Sequence, residues 1–208
     1  MKRHVKMLKD LDACKEAVEF AAGFPSLAAA WAACDRGDWL LWYAGRLSGP
    51  SESDSRRRLV LAACECARLS LEHVPAGEDR PRLAIETAER WARHGAGITL
   101  AEVQTAADSA WDVANVADAA AAAAAASVSA TAAADYAFCA SNAASVAADW
   151  AAVDGAAAMA AVDGAAAMAT VDGAAARFAV RSAARDAALR QCAEIMRRHY
   201  PRPPRMTR

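Results

Sequence analysis

Along most of the chain, apolar residues recur at three- and four-residue steps, the spacing of one face of an α-helix. Val5, Leu8, Leu11, Cys14, Val18 and Ala22 mark an amphipathic helix over 5–22, which Gly23-Phe24-Pro25 ends. Ser26 caps a second helix carrying Leu27 and Trp31. After a turn at Asp35-Arg36-Gly37, Asp38 caps a short third helix with Trp39, Leu40, Trp42 and Tyr43. A polar loop over 45–55 leads into a helix over 56–73, with Leu59, Ala63, Cys66, Ala67 and Ser70 on one side. Val74-Pro75-Ala76-Gly77 breaks that helix. Pro81 suits the first turn of the next one, where its missing N–H has no partner to lose. Leu83, Ile85, Ala88 and Trp91 follow, and Gly95 fits the stop. Thr99-Leu100-Ala101-Glu102 reads as a capping box, hydroxyl and carboxylate each satisfying an orphan amide.

Beyond this point alanine takes over. Ala119–Ala126 is an unbroken run of eight, and alanine dominates to residue 176, so long helices are expected. Within this region Val153-Asp154-Gly155, Val162-Asp163-Gly164 and Val171-Asp172-Gly173 repeat every nine residues. Nine residues span roughly two and a half helical turns, so an unbroken helix would present successive Asp-Gly pairs on opposite sides and have no single wet face. The alternative is that each Asp-Gly forms a turn between short helical pieces. Methyl side chains bury little apolar surface but let helix axes approach closely. The region is therefore expected to pack as apposed helices, helped by self-association. A last helix over 177–199 has Phe178, Ala188, Leu189, Cys192, Ile195 and Met196 on its apolar side. Tyr200-Pro201 stops it, and a mobile basic tail follows. The expected fold is all-α: a multi-helix bundle with long, closely packed alanine-rich helices. The regions are a helical core at 1–112, an alanine-rich repeat at 113–176 and a basic C-terminal helix and tail at 177–208.

Charge follows the same division. The net charge of −1 names neither nucleic acid nor membrane as a partner, but residues 113–176 hold six aspartates and no basic residue, while 177–208 carry +7. Opposite blocks of this kind meet each other or a partner, and the simplest expectation is that the last helix docks on the acidic middle. The aspartates interrupt the alanine runs and argue against a membrane span. The charged, amphipathic opening lacks the marks of a signal peptide. A cytoplasmic protein is expected. The six cysteines are scattered, and Cys64-Glu65-Cys66 lacks zinc spacing; buried free thiols are expected, with no metal and no cofactor.

Candidate chemistry is sparse. Arg56, Arg57 and Arg58 sit where a loop enters a helix, where free amides and the positive helix end can join the guanidinium groups in holding an anion. The other reading is a solvated charge run. Arg80 and Arg82 open the next helix and offer a second anion site. However, Arg82 and Glu86, Glu86 and Arg90, and Glu89 and Arg93 lie four apart, the spacing of intrahelical ion pairs. Trp39 and Trp42, with Trp31 and Tyr43, can stack a nucleobase, although their spacing is also that of a core. No nucleophile–base pair, phosphate loop or metalloprotease motif is readable, so the chain is not expected to be an enzyme.

Arg57-Arg58-Leu59-Val60-Leu61-Ala62-Ala63-Cys64-Glu65-Cys66-Ala67, then Gly77 to Arg93 (GEDRPRLAIETAERWAR), then the alanine helices, resemble the immunity protein family of bacterial polymorphic-toxin systems over roughly residues 56–150. The DRPR-x-AIE-x-A-x-x-WAR string carries most of the likeness. The start (DACKEAVEF and CDRGDWLLWYAGRL) and the end (CAEIMRRHYP) resemble alanine-rich phage proteins. The resemblance implies an all-helical, non-catalytic partner of a protein toxin or defence enzyme, and it assigns no binding residues. Three functional readings follow. The first is an immunity-like or anti-defence protein that masks or sequesters its target. The second is a phage sponge for a nucleotide-derived immune signal, a phosphate-bearing small molecule held by Arg56, Arg57, Arg58, Arg80 and Arg82 with Trp39 and Trp42. The third is a self-assembling scaffold. A homo-oligomer is expected; a membrane or nucleic-acid partner is not.

Overall fold

In the computed structural model, residues 1–50, 53–69, 71, 77–93, 97–109 and 174–205 are described, with the backbone alone over 174–185. Among these residues there are eight helices and no strand. They are α1 (Arg3–Asp10), α2 (Lys15–Ala22), α3 (Leu27–Ala33), α4 (Gly37–Leu47), α5 (Asp54–Arg68), α6 (Arg80–Ala92), α7 (100–109) and α8 (Ala174–His199). The fold is all-α, as the spacing predicts. None of the described helices is long and apolar enough to cross a membrane. The alanine runs and the Val-Asp-Gly units up to Gly173 lie outside the described residues.

The helix expected over 5–22 is two helices. Asp12 adopts the left-handed conformation with φ +62°. Ala13 N–H donates to the Leu8 carbonyl (3.0 Å) and Asp12 N–H to that of Lys9 (3.0 Å), the paired bonds of a Schellman stop. Asp is one of the few non-glycine residues that enter this region at modest cost. The continuing apolar spacing hides the break, because α1 and α2 pack on each other and both keep their apolar residues inward.

Two expected caps are present. Ser26 Oγ accepts from Ala29 N–H at 3.2 Å. Thr99 and Glu102 exchange bonds, Thr99 N–H to Glu102 Oε2 at 2.7 Å and Glu102 N–H to Thr99 Oγ1 at 3.2 Å. Asp38, however, does not cap α4. The cap position belongs to Arg36, whose guanidinium grips the buried Asp38 carboxylate through two bonds of 2.9 and 2.5 Å. The 45–55 loop is shorter than expected, since α4 runs to Leu47 and Ser53 caps α5 through Arg56 N–H at 3.2 Å. At its far end α5 stops at Arg68 rather than at 73.

Helix α5 lies at the centre of the packing, against α4, α6 and α8. Val60, Ala62, Cys64 and Ala67 on it are fully enclosed, as are the small residues Ala84 and Ala88 of α6. Small side chains at such a seam let helix axes come close. Helix α8 docks on α4 and α5 and buries Leu189, Cys192, Ala193 and Met196 in a three-four stripe, with Tyr200 buried just past its end. Its docking surface is therefore the core of the N-terminal helices. The acidic middle, where it was expected to dock, lies outside the described residues. Gly37 shows how tight the seam is, for a Cβ placed there would sit 2.7 Å from Ala193 N and 2.8 Å from the Cys192 carbonyl carbon.

The last turn of α8 ties three helices together by polar contacts. Trp31 Nε1 donates to the Tyr200 carbonyl (3.0 Å), Tyr200 Oη donates to the Ser55 carbonyl (3.1 Å), and Arg197 donates to the Cys34 carbonyl (2.6 Å). Glu65 receives both Arg198 and His199, the latter at 2.8 Å. The chain past the helix does not hang free. Through Arg205 it lies against the N-terminal helices, held where Tyr43 Oη donates to the Pro204 carbonyl at 3.3 Å.

Candidate functional site

The structure engages each arginine of the expected anion sites with the protein itself. Arg56 is 3 % exposed and its Nε donates to the Gly49 carbonyl at 3.1 Å, closing the loop before α5. Burial draws its guanidinium below its ordinary value. Arg57 donates to the Trp91 carbonyl at 2.7 Å and lies 4.6 Å above that indole ring, an orphan-carbonyl cap joined to a cation–π contact. Arg58 lies 5.8 Å from the Tyr200 ring. Arg80 pairs with Glu78, and Arg82 bridges Asp79 and Glu86, each at 2.9 Å. Arg57 thus reaches the last turn of α6 while Arg80 and Arg82 occupy its first, about 15 Å away at 1.5 Å per residue. The two arginine groups are not brought together.

Trp39 and Trp42 are brought together. With Leu8, Phe20, Trp31 and Cys34 they border an apolar cavity of about 50 Å³. Phe20 lies 5.8 Å from Trp39, whose other neighbour is the Arg36 guanidinium at 4.5 Å. The space is small beside a cavity of about 150 Å³ that holds benzene, and both indoles pack against the core. Burial pushes the Cys34 thiol at its wall up to about 11.

Among the described residues a larger concave surface lies elsewhere, where the two ends of the chain meet. A groove of about 920 Å³ runs between residues 2–7, residues 25–28 and the strip 202–205, with Tyr43 beneath. One wall carries Lys2, Arg3 and His4; the other carries Arg202 and Arg205. Its floor is apolar: Met7, Leu27 and the Pro203-Pro204 pair. No carboxylate lines it among the described residues.

One wall is fixed by the chemistry of a helix end. The last carbonyls of α2 have no intrahelical donors and carry the negative end of the helix dipole. Lys2 Nζ satisfies two acceptors there, Ala22 and Phe24, at 2.8 Å each, and His4 Nε2 lies 3.0 Å from the Ala21 carbonyl. Opposite them, Tyr43 Oη anchors Pro204 and touches Met7 Sδ at 3.9 Å; burial raises this phenol to about 12. Two proline rings limit the backbone freedom of the segment that carries Arg202 and Arg205. Lys2 is therefore held in place, and Arg202 and Arg205 stand on a segment anchored at Pro204.

No local pattern in the sequence singles these residues out. The basic end and the Lys/Arg-rich opening were visible, but about two hundred residues separate them and no spacing rule pairs them. The signal that points to them is the double proline, which fixes a segment otherwise read as a loose tail.

No family model matches the chain, and no curated protein and no solved structure matches it.

Proposed function

We propose that this chain is a non-catalytic binding protein of the immunity or anti-defence kind, acting in conflict between bacteria and phages or toxins by covering the surface of a protein toxin or defence enzyme. One observation carries the reading: a preformed groove with cationic walls and an apolar floor, assembled from both ends of the chain. Masking needs a fixed, complementary surface rather than a reaction centre, and preorganisation of this kind lowers the ordering cost of association. Cationic rims over an apolar centre also match the usual anatomy of protein interfaces, in which Arg is enriched. The likeness of residues 56–150 to toxin-system immunity proteins supports the same setting.

The test is affinity capture from bacterial host lysate with the full chain as bait, beside an Arg3→Glu/Arg202→Glu/Arg205→Glu variant. The reading predicts one protein retained stoichiometrically by the natural chain, lost from the variant, and inhibited when the purified chain is added back. If the natural chain retains no specific protein, the reading falls.

A further inference from the structure

We infer that the groove between the chain ends recognises an acidic protein segment that carries apolar side chains between its carboxylates. This rests on the masking reading and names the chemistry of the partner.

Lys2 and Arg3 from the start of the chain and Arg202 and Arg205 from its end line the groove, so positive charge reaches it from two separate segments. Arg3, Arg202 and Arg205 are exposed and able to meet carboxylates at a rim. A compact phosphate-bearing ligand calls for cations and amides gathered around one centre and makes no use of an apolar lining. Between the walls the floor offers Met7, Leu27 and the proline pair, which reward an aliphatic or aromatic side chain through loss of water-exposed apolar area.

Nucleic acid fits less well. Single strands are held by stacking bases on exposed aromatic rings. The one aromatic residue in this groove is Tyr43, which is 4 % exposed, its edge against Trp31 at a centroid distance of 6.0 Å. It presents no face to a base. The chain as a whole carries a net −1, with its acidic aspartates in the middle, and so lacks the broad positive field that draws polynucleotides. An acidic polypeptide with interleaved apolar residues uses both features of the groove at once.

The experiment is titration of the full chain with a synthetic peptide alternating Glu and Leu. The comparison ligands are a Glu/Ser peptide of equal charge, a single-stranded oligonucleotide and inorganic pyrophosphate. The expected result is that the Glu/Leu peptide binds tightest. The Glu/Ser peptide is expected to bind at least about tenfold more weakly for loss of the apolar contacts. Reversal of Arg3, Arg202 and Arg205 to Glu weakens the Glu/Leu peptide at least about tenfold, and higher salt weakens it as well. The neutral variant Arg3→Gln/Arg202→Gln/Arg205→Gln falls in between and serves if the reversal impairs folding. Arg82→Glu, at a residue that pairs with Asp79 and Glu86 away from the groove, leaves affinity unchanged. Tighter binding of the oligonucleotide or of pyrophosphate, or peptide binding indifferent to the three arginines, overturns the inference. If lysate capture depends on these arginines but no acidic peptide binds, the partner chemistry is wrong and the masking reading stands. If the peptide binds but no cellular protein is retained, the reverse holds.

Discussion

Replacing Gly37 with alanine sets two effects of opposite sign against each other. By helix propensity alone the change stabilises, by less than about 1 kcal/mol and least at a helix's first position. By packing it destabilises, because the new methyl would lie 2.7 Å from Ala193 N and 2.8 Å from the carbonyl carbon of Cys192. Those are backbone atoms of α8, which cannot swing aside as a flexible side chain can, so α8 must shift away from α4. Overpacking of this kind costs about 1–3 kcal/mol, and the net expectation is a loss of about 1–2 kcal/mol. At a urea m-value of about 2 kcal/mol/M this lowers the unfolding midpoint by roughly 0.5–1 M. Gly23→Ala is the control, since there the added methyl meets only the Phe20 carbonyl oxygen at 3.3 Å. Cys192→Gly does not rescue Gly37→Ala, because the clashing backbone atoms remain. A Gly37→Ala midpoint equal to or above that of the natural chain would refute the docking of α8 on α4.

Other expectations follow from the same contacts. Trp31→Phe strands the buried Tyr200 carbonyl now bonded at 3.0 Å and should cost about 1–3 kcal/mol in a denaturation series; no loss would mean that the clamp contributes nothing. For Glu65 and Glu89, burial opposes ionisation but is outweighed by His199 and Arg198 in the first case and by Arg68 and Arg93 in the second, so both carboxyls lie below their ordinary 4.5. Their contribution is complete above that value and lost as pH falls through and below it. Melting curves should show an acid limb there, shallower in Glu65→Gln/Glu89→Gln, and an unchanged limb would contradict the pairing. In a Cys139→Ser background, maleimide should label the exposed Cys14 alone in the native protein, and Cys34, Cys64, Cys66 and Cys192 only after unfolding. Burial removes access, and it raises the thiols of Cys34 and Cys64 besides. Rapid native labelling of all five would mean that the core opens.

How legible the fold was depends on the range of each interaction. Ser26 and the Thr99–Glu102 box were readable because a cap satisfies amides within its own first turn. The helical faces were readable because their period is local. Asp12 was not, since an αL stop is signalled by glycine far more often than by aspartate. Nor was the role of Arg56–Arg58: three consecutive arginines look alike in sequence, yet here one closes a loop, one caps α6 and one covers Tyr200. Whether a guanidinium meets a carbonyl or an outside anion is settled by elements dozens of residues away. The groove is the extreme case, for its walls come from opposite termini and its floor from three separate segments.

The most direct measurement is hydrogen–deuterium exchange of the full chain with and without the Glu/Leu peptide. The account predicts added protection at residues 2–7, 25–28 and the strip after Tyr200, with α6 unchanged. Protection concentrated instead at the starts of α5 and α6, around Arg56–Arg58 and Arg80–Arg82, would contradict it.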